Sequence, residues 1–211
     1  MSSAGEPLPP EEYIPLVEEA AARSAIALSP AVVSSLATYL AELDLWRRRI
    51  NLTGRLTAEE LADHVIESLL ALPLIPHGAR VIDIGSGGGF PAIPIAAARP
   101  DIQVTMLEPR GKRAAFLRHV SRLLGLAGAE VLEAPVERFE EPRWDVATTK
   151  GVGDLGRRIG GGPFLRPSGL LLAWTTEPRS VANALAPAFG MEGVTEVPGA
   201  SRRVIVALRR A

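Results

Sequence analysis

Val81-Ile82-Asp83-Ile84-Gly85-Ser86-Gly87-Gly88-Gly89-Phe90 reads as a short buried strand running directly into a glycine-rich turn. Glycine tolerates positive φ and carries no Cβ, so such a turn is sharp and its N–H groups can closely approach a ligand. In the dinucleotide fingerprint the third glycine follows two spacers. Here the glycines fall at Gly85, Gly87 and Gly89, and Phe90 fills the place of that last glycine, which tilts the reading from NAD toward S-adenosylmethionine. A helix after the turn would aim its first N–H groups at an anion such as the methionine carboxylate of that cofactor. Downstream, Gln103-Val104-Thr105-Met106-Leu107 is a second apolar strand ending in Glu108, whose carboxylate suits the vicinal hydroxyls of a ribose. The plainer reading is a tight strand-to-helix turn with a solvent-exposed Glu108. Strand, turn, helix, strand and acid in that order favour the cofactor site.

From Gly78 onward, strands alternate with helices. Strands are predicted at 80–84, 104–107, 130–132, 144–148 and 170–174, and helices at 92–98, 111–124 and 179–189. Two last strands, 193–197 and 203–208, flank a Pro-Gly turn and read as an antiparallel hairpin. This is βαβ winding closed by an antiparallel strand, a Rossmann-like α/β sheet over residues 76–211. Before it, residues 11–75 read as a helical lobe. Helices are expected at 12–27, with Pro15 in its first turn, and at 30–48, with Ser29 as N-cap and Pro30 at the first helical position. Val33, Leu36, Leu40, Leu43 and Trp46 give the second helix one buried face. Thr57-Ala58-Glu59-Glu60 is a capping box that opens a third helix through about residue 72. Residues 1–10, with Pro7, Pro9 and Pro10, read as a mobile leader.

The composition narrows the chemistry. With no cysteine, disulfides, thiolate metal sites and cysteine nucleophiles are excluded, and His64, His77 and His119 alone offer little for a zinc site, so no metal is expected. A thiolate route to pyrimidine C5 methylation is excluded for the same reason. No apolar run is long enough to span a bilayer and no signal pattern opens the chain, so a soluble, cytoplasmic, non-membrane protein is expected, acting as a monomer. The net charge of −1 advertises no global field for nucleic acid, although of 23 Lys and Arg residues only Lys112 and Lys150 are lysine. Arg suits phosphate and guanine recognition, and genomic base composition explains the same bias.

Several further motifs follow in order: Trp46 with Ile50-Asn51-Leu52-Thr53, then His64-Val65-Ile66-Glu67-Ser68-Leu69, then the turn ending Gly89-Phe90-Pro91. Gly111-Lys112-Arg113 with Phe116-Leu117, and Val136-Glu137-Arg138-Phe139, come after it. Through these the chain, from about residue 36 to 174, resembles the RsmG (GidB) methyltransferases of bacteria. The resemblance implies methyl transfer from S-adenosylmethionine to guanine N7 of small-subunit (16S) ribosomal RNA, with that RNA or the small subunit as partner. It implies that Gly85 and Phe90 line the cofactor site and that Val136-Glu137 flanks the adenine; read from the residues themselves, Gly85, Gly87, Gly89 and Phe90 form the cofactor turn and Glu108 holds the ribose. Lys150, after the fourth strand, takes the place of an arginine the family usually carries, and is the expected catalytic residue on the substrate side, also touching cofactor.

Two departures from the family are visible. Ala173-Trp174-Thr175-Thr176 lacks the lysine usual after the fifth strand, and residues 151–162 hold six glycines where a well-formed helix is usual, each interior glycine costing about 1 kcal/mol. They leave open a methyltransferase redirected to another RNA base or a small metabolite, and an assembly factor that binds cofactor without transfer. A dehydrogenase is the more distant reading. Arg47-Arg48-Arg49 and Arg55 read either as phosphate ligands or as a solvated helix end, and Arg110, Lys112, Arg113, Arg118 and Arg122 as a helical stripe facing solvent or RNA. Arg202, Arg203, Arg209 and Arg210 read as surface charges, His64 as a packing residue, and Trp46 and Trp144 as core.

Overall fold

The computed structural model describes residues 7–199 and 202–211; residues 1–6 of the expected leader lie outside them. Three helices come first, α1 (Pro10–Arg23), α2 (Pro30–Arg47) and α3 (Ala58–Leu69). A 3-10 turn over Leu72–Leu74 then leads into β1 (Arg80–Ile84), α4 (Ala92–Ala98), β2 (Gln103–Leu107), α5 (Gly111–Leu123) and β3 (Ala129–Leu132). A second 3-10 turn, Val136–Arg138, precedes β4 (Trp144–Lys150), α6 (Leu155–Ile159), β5 (Leu165–Thr175), α7 (Pro178–Leu185), β6 (Phe189–Glu196) and β7 (Val204–Arg210). The sheet order is β3-β2-β1-β4-β5-β7-β6. Its first five strands are parallel and β7 inserts antiparallel between β5 and β6, the Rossmann-like winding expected.

Because side chains alternate across a strand, the sheet feeds two cores. Val81, Val104, Met106, Val146, Leu170 and Leu172 join one cluster with the apolar faces of α1 to α5. Ile82, Ile84, Leu107, Ala147, Leu171 and Ala173 join the other, covered by Ile159, Leu185 and the Val136 turn. The N-terminal helices therefore share one continuous core with the sheet. Helix α2 lies in its middle, touching α1, α3, α4 and α5, so Ala37 and Tyr39 are buried beyond the single face expected. Each fully buried leucine, as at Leu36, Leu40 and Leu43, contributes about 1.5–3 kcal/mol relative to exposure.

Local signals explain the starts and stops. The Thr57 hydroxyl accepts from Glu60 N (3.2 Å) while the Glu60 carboxylate accepts from Thr57 N (2.7 Å), completing the capping box. Helix α1 begins at Pro10, two residues earlier than expected, because proline suits the first helical position; Pro15 consequently falls in the second turn. Helix α7 stops at Leu185 rather than 189, since Ala186 precedes Pro187 and is pushed out of the helical region. Strand β5 starts five residues early, at Leu165, its exposed Arg166-Pro167-Ser168 segment hiding it from an apolar count. The glycine-rich 151–162 segment does form α6, five residues long. A Cβ at Gly156 would come within 2.8 Å of the Ala184 carbonyl, so glycine there permits α6 to pack on α7. Among the described residues no helix is long and apolar enough to cross a membrane.

Candidate active site

The carboxyl ends of β1, β2 and β4 carry the site. At the end of β1 the chain turns with φ of +74°, +53° and +103° at Gly85, Gly87 and Gly89, values an L side chain rarely adopts. The turn is fixed from three directions. Gly85 N and Ser86 N both donate to the Leu107 carbonyl (2.9 and 3.0 Å), joining it to β2. Tyr39 of α2 donates its hydroxyl to the Gly88 carbonyl at 2.7 Å. Glu108, 3% exposed, accepts from Gly87 N (3.0 Å) and Arg110 N (2.9 Å). The solvent-exposed Glu108 of the plainer reading is thereby corrected: the acid is a buried brace of the turn, because two backbone N–H groups converge on it.

Asp83, on β1 just before the turn, is 1% exposed. Its Oδ1 accepts from the Thr148 hydroxyl at 2.6 Å, and its Oδ2 has no hydrogen-bond partner among the described residues. Burial pushes its carboxyl up to about 7, with the Thr148 hydrogen bond opposing and the Glu108 charge reinforcing the shift. An acceptor so placed is half satisfied.

Above the turn lies a cavity of about 360 Å³ bounded by Gly85, Gly87, Phe90, His64, Arg113 and Lys150 among others. A second, of about 630 Å³, lies on the other side of Lys150 over the ends of β4 and β5. His64, Lys150 and Gly151 border both. The Lys150 ammonium is 2.9 Å from Glu67 Oε2 and 2.8 Å from His64 Nδ1, and stands 5.4 Å from the centroid of the Phe90 ring. Glu67 also accepts from Arg203 at 2.6 Å and lies 3.0 Å from His64 Nδ1. Burial alone would raise its carboxyl, but the His64 hydrogen bond and the Lys150 charge outweigh that and hold it at about 2. Burial pulls the Lys150 ammonium below its ordinary value, with Glu67 opposing and Arg203 adding to the shift.

Of the residues singled out from sequence, Gly85, Gly87, Phe90 and Lys150 border one cavity, with Glu108 directly behind Gly87. Gly89 does not border it; its α-carbon faces Ile93 and Tyr39, where a Cβ would meet Ile93 Cγ1 at 2.8 Å. Val136 is buried in the second core and Glu137 is exposed on the 3-10 turn, neither bordering the cavity. Val152 packs over Gly85, its Cγ2 2.7 Å from where a Cβ would stand. Sequence reading missed Glu67 and Arg203. A carboxylate three residues after His64 on the apolar side of α3 was a signal for the first. Nothing local marked Arg203, which is corrected from a surface charge to a half-buried partner of Glu67. Arg47 is likewise structural, paired with Asp44 and donating to the Leu56 carbonyl at 2.7 Å. Trp144 is core, its indole N–H donating to Thr105.

The sequence family described as rRNA small subunit methyltransferase G matches residues 32–180, from within α2 through α3, the turn, Lys150 and β5. The chain belongs to this family. Relatives named ribosomal RNA small subunit methyltransferase G include one from Sorangium cellulosum, 39% identical over 78% of this chain and 71% of its own length. One from Xanthomonas campestris pv. campestris is 37% identical over 91% of this chain and 92% of its own. With the protein from Desulfotalea psychrophila, 40% identical, the match spans 57% of this chain and 58% of the relative. Among solved structures, a SAM dependent methyltransferase from Aquifex aeolicus superposes with a TM-score of 0.59 at 14% identity, covering 71% of this chain and 92% of that one. The Bacillus subtilis tRNA methyltransferase TrmK does so with 0.55 at 16% identity, covering 69% and 65%. At those identities the likeness is one of fold.

Proposed function

We propose that this protein transfers the methyl group of S-adenosylmethionine to N7 of a guanine in 16S ribosomal RNA. The observation that carries the reading is the braced glycine turn opening on a cavity walled by Lys150, within a chain of this family. When bound, the cofactor supplies an electrophilic methyl on a sulfonium. The residues present suit it. Gly85 and Gly87 leave backbone open to close approach, the orphaned Asp83 Oδ2 is an acceptor that an ammonium would satisfy, and each Glu108 oxygen keeps a lone pair for a ribose hydroxyl. Val136 and Glu137 would flank the adenine, and Val152, packed over Gly85, is the side chain the cofactor would have to displace at the turn.

Guanine N7 carries an in-plane lone pair and no proton, so in-line attack needs alignment and no general base. Lys150 is the group poised between the two cavities. It would hold the purine by its O6, adjacent to N7, while Glu67, His64 and the Phe90 face fix its ammonium. The protein acts as a monomer in the cytoplasm, on the RNA or on the small subunit.

The test is tritiated-methyl transfer to undermethylated small subunits, followed by aniline cleavage to locate N7-methylguanine. One cleavage site in 16S RNA is expected. Cofactor binding without incorporation would overturn the reading in favour of a redirected substrate, for which Lys150 in place of the family's arginine and Thr175-Thr176 in place of its lysine are the motive.

A further inference from the structure

A third depression, of about 410 Å³, separates the end of α2 from the start of α5, and its walls are Arg49, Ile50, Asn51, Arg110, Gly111, Lys112 and Arg113. Four of these seven residues are cations. Arg49, Arg110 and Lys112 are exposed and have no acidic partner among the described residues, whereas Arg23, Arg47, Arg99, Arg143, Arg166 and Arg209 each pair with a carboxylate. The neighbouring acids are engaged elsewhere. Glu108 is buried, accepts from Gly87 N and Arg110 N and stands 4.0 Å from Arg113 alone among the groove's guanidinium and ammonium groups, and Glu133, beside Gly111, pairs with Arg118. Arg113 borders both this groove and the cavity above the glycine turn, so the positive groove runs outward from the proposed site of transfer. On a chain whose net charge is −1, a local convergence of three unpaired cations beside Arg113 defines the partner more sharply than the overall balance does.

We infer that this groove carries the sugar–phosphate backbone of the substrate RNA next to the target nucleotide, with Arg49, Arg110 and Lys112 as its phosphate ligands. The inference rests on reading the adjacent cavity as the methyl-transfer site. It separates the cations of α5 into two groups. Arg110 and Lys112 serve RNA, Arg113 stands at the join of groove and cavity with Glu108 4.0 Å away, and Arg118, paired with Glu133 at 3.5 Å, and Arg122, neither of which borders the groove, belong to the solvated stripe. It separates Arg49 from Arg47 and Arg48 in the same way, since both of those are tied to Asp44. Phosphate contacts position the RNA and read no bases, so the groove sets affinity and register while the cavities set the target.

The test is equilibrium binding to 16S RNA across a potassium chloride series at fixed magnesium, for the wild type and the triple variant Arg49→Ala/Arg110→Ala/Lys112→Ala, with methyl-transfer kinetics alongside. Loss of three contacts at about 0.7 each on single-stranded RNA should lower the slope of log K against log salt by about 2. KM for RNA should rise at least tenfold, with kcat within threefold and calorimetric cofactor affinity unchanged. Restoring charge with Arg49→Lys/Arg110→Lys should recover most of the slope, and Arg118→Ala/Arg122→Ala should leave it intact. An unchanged slope and KM in the triple variant, or an equal loss in the Arg118/Arg122 pair, overturns the inference. Absence of transfer by the wild type would count against the methylation reading instead, and the salt slope would still judge the groove.

Discussion

Replacing Glu67 by glutamine should destabilise the fold, because one buried carboxylate neutralises two cations. Its carboxylate, with a side chain 8% exposed, meets Lys150 at 2.9 Å, Arg203 at 2.6 Å and His64 at 3.0 Å. Its carboxyl is held at about 2 against an ordinary 4.5. At 1.36 kcal/mol per unit this corresponds to roughly 3 kcal/mol in favour of the folded state at neutral pH. Breaking a buried pair from one side falls in the same range, about 3–5 kcal/mol. The sign follows from the depressed value: the contribution is complete above pH 4.5 and is lost as pH falls through 2, so less than half should remain at pH 3. Urea unfolding of wild type and Glu67→Gln at pH 7 and pH 3 measures both quantities. Removing the stranded cation as well, in Glu67→Gln/Lys150→Met, should recover more than half of the loss at pH 7, because Arg203 is half-exposed and can turn to water. Equal stabilities at pH 7, or a loss of the same size at both pH values, would refute the reasoning.

Asp83 should show the opposite pH dependence. Its carboxyl is raised to about 7, so the ionised form is penalised and stability falls as pH rises from 4 toward 7; the stability of wild type relative to Asp83→Asn should drop by roughly 2–3 kcal/mol between pH 5 and pH 8, and a flat difference in denaturant titrations contradicts it. Gly89→Ala should destabilise by about 2–4 kcal/mol through its φ of +103° and contacts of 2.8 and 3.0 Å to Ile93 and Tyr39, readable as a lower melting temperature. A Cβ at Gly87 would meet no atom closer than 3.7 Å, at a φ of +53° that strains a side chain, so Gly87→Asp should lose about 1–2 kcal/mol, stay folded and bind no S-adenosylmethionine in calorimetry; undiminished binding would displace the cofactor from this turn. Lys150→Ala should lower kcat at least tenfold with RNA affinity within threefold, and an unchanged rate would make Lys150 a bystander.

The sequence by itself determined the winding and the turn. Strand-to-glycine transitions, the capping box at Thr57 and the Pro30 start are local signals, written within a few residues and enforced by backbone sterics wherever the chain goes. Glu108 was legible for the same reason, since the end of β2 lies beside the end of β1 in any sheet of this kind. Boundaries slipped where a local rule competed with another, as at Pro187 behind α7, or where a strand such as β5 begins with exposed polar residues.

Only the tertiary structure decided the charge cluster. Glu67, Lys150 and Arg203 stand 83 and 136 residues apart in pairs that share one carboxylate, and no periodicity relates a helix of the lobe to the end of β4 and the start of β7. The same holds for the groove between Arg49 and Lys112. In sequence these cations belong to two unrelated arginine-rich stretches, and which of them are unpaired depends on Asp44, Glu108 and Glu133 being brought next to their neighbours by folding. Local residue types set backbone conformation because sterics act over a few bonds; a charge takes its function from whichever partner the packed core delivers through space.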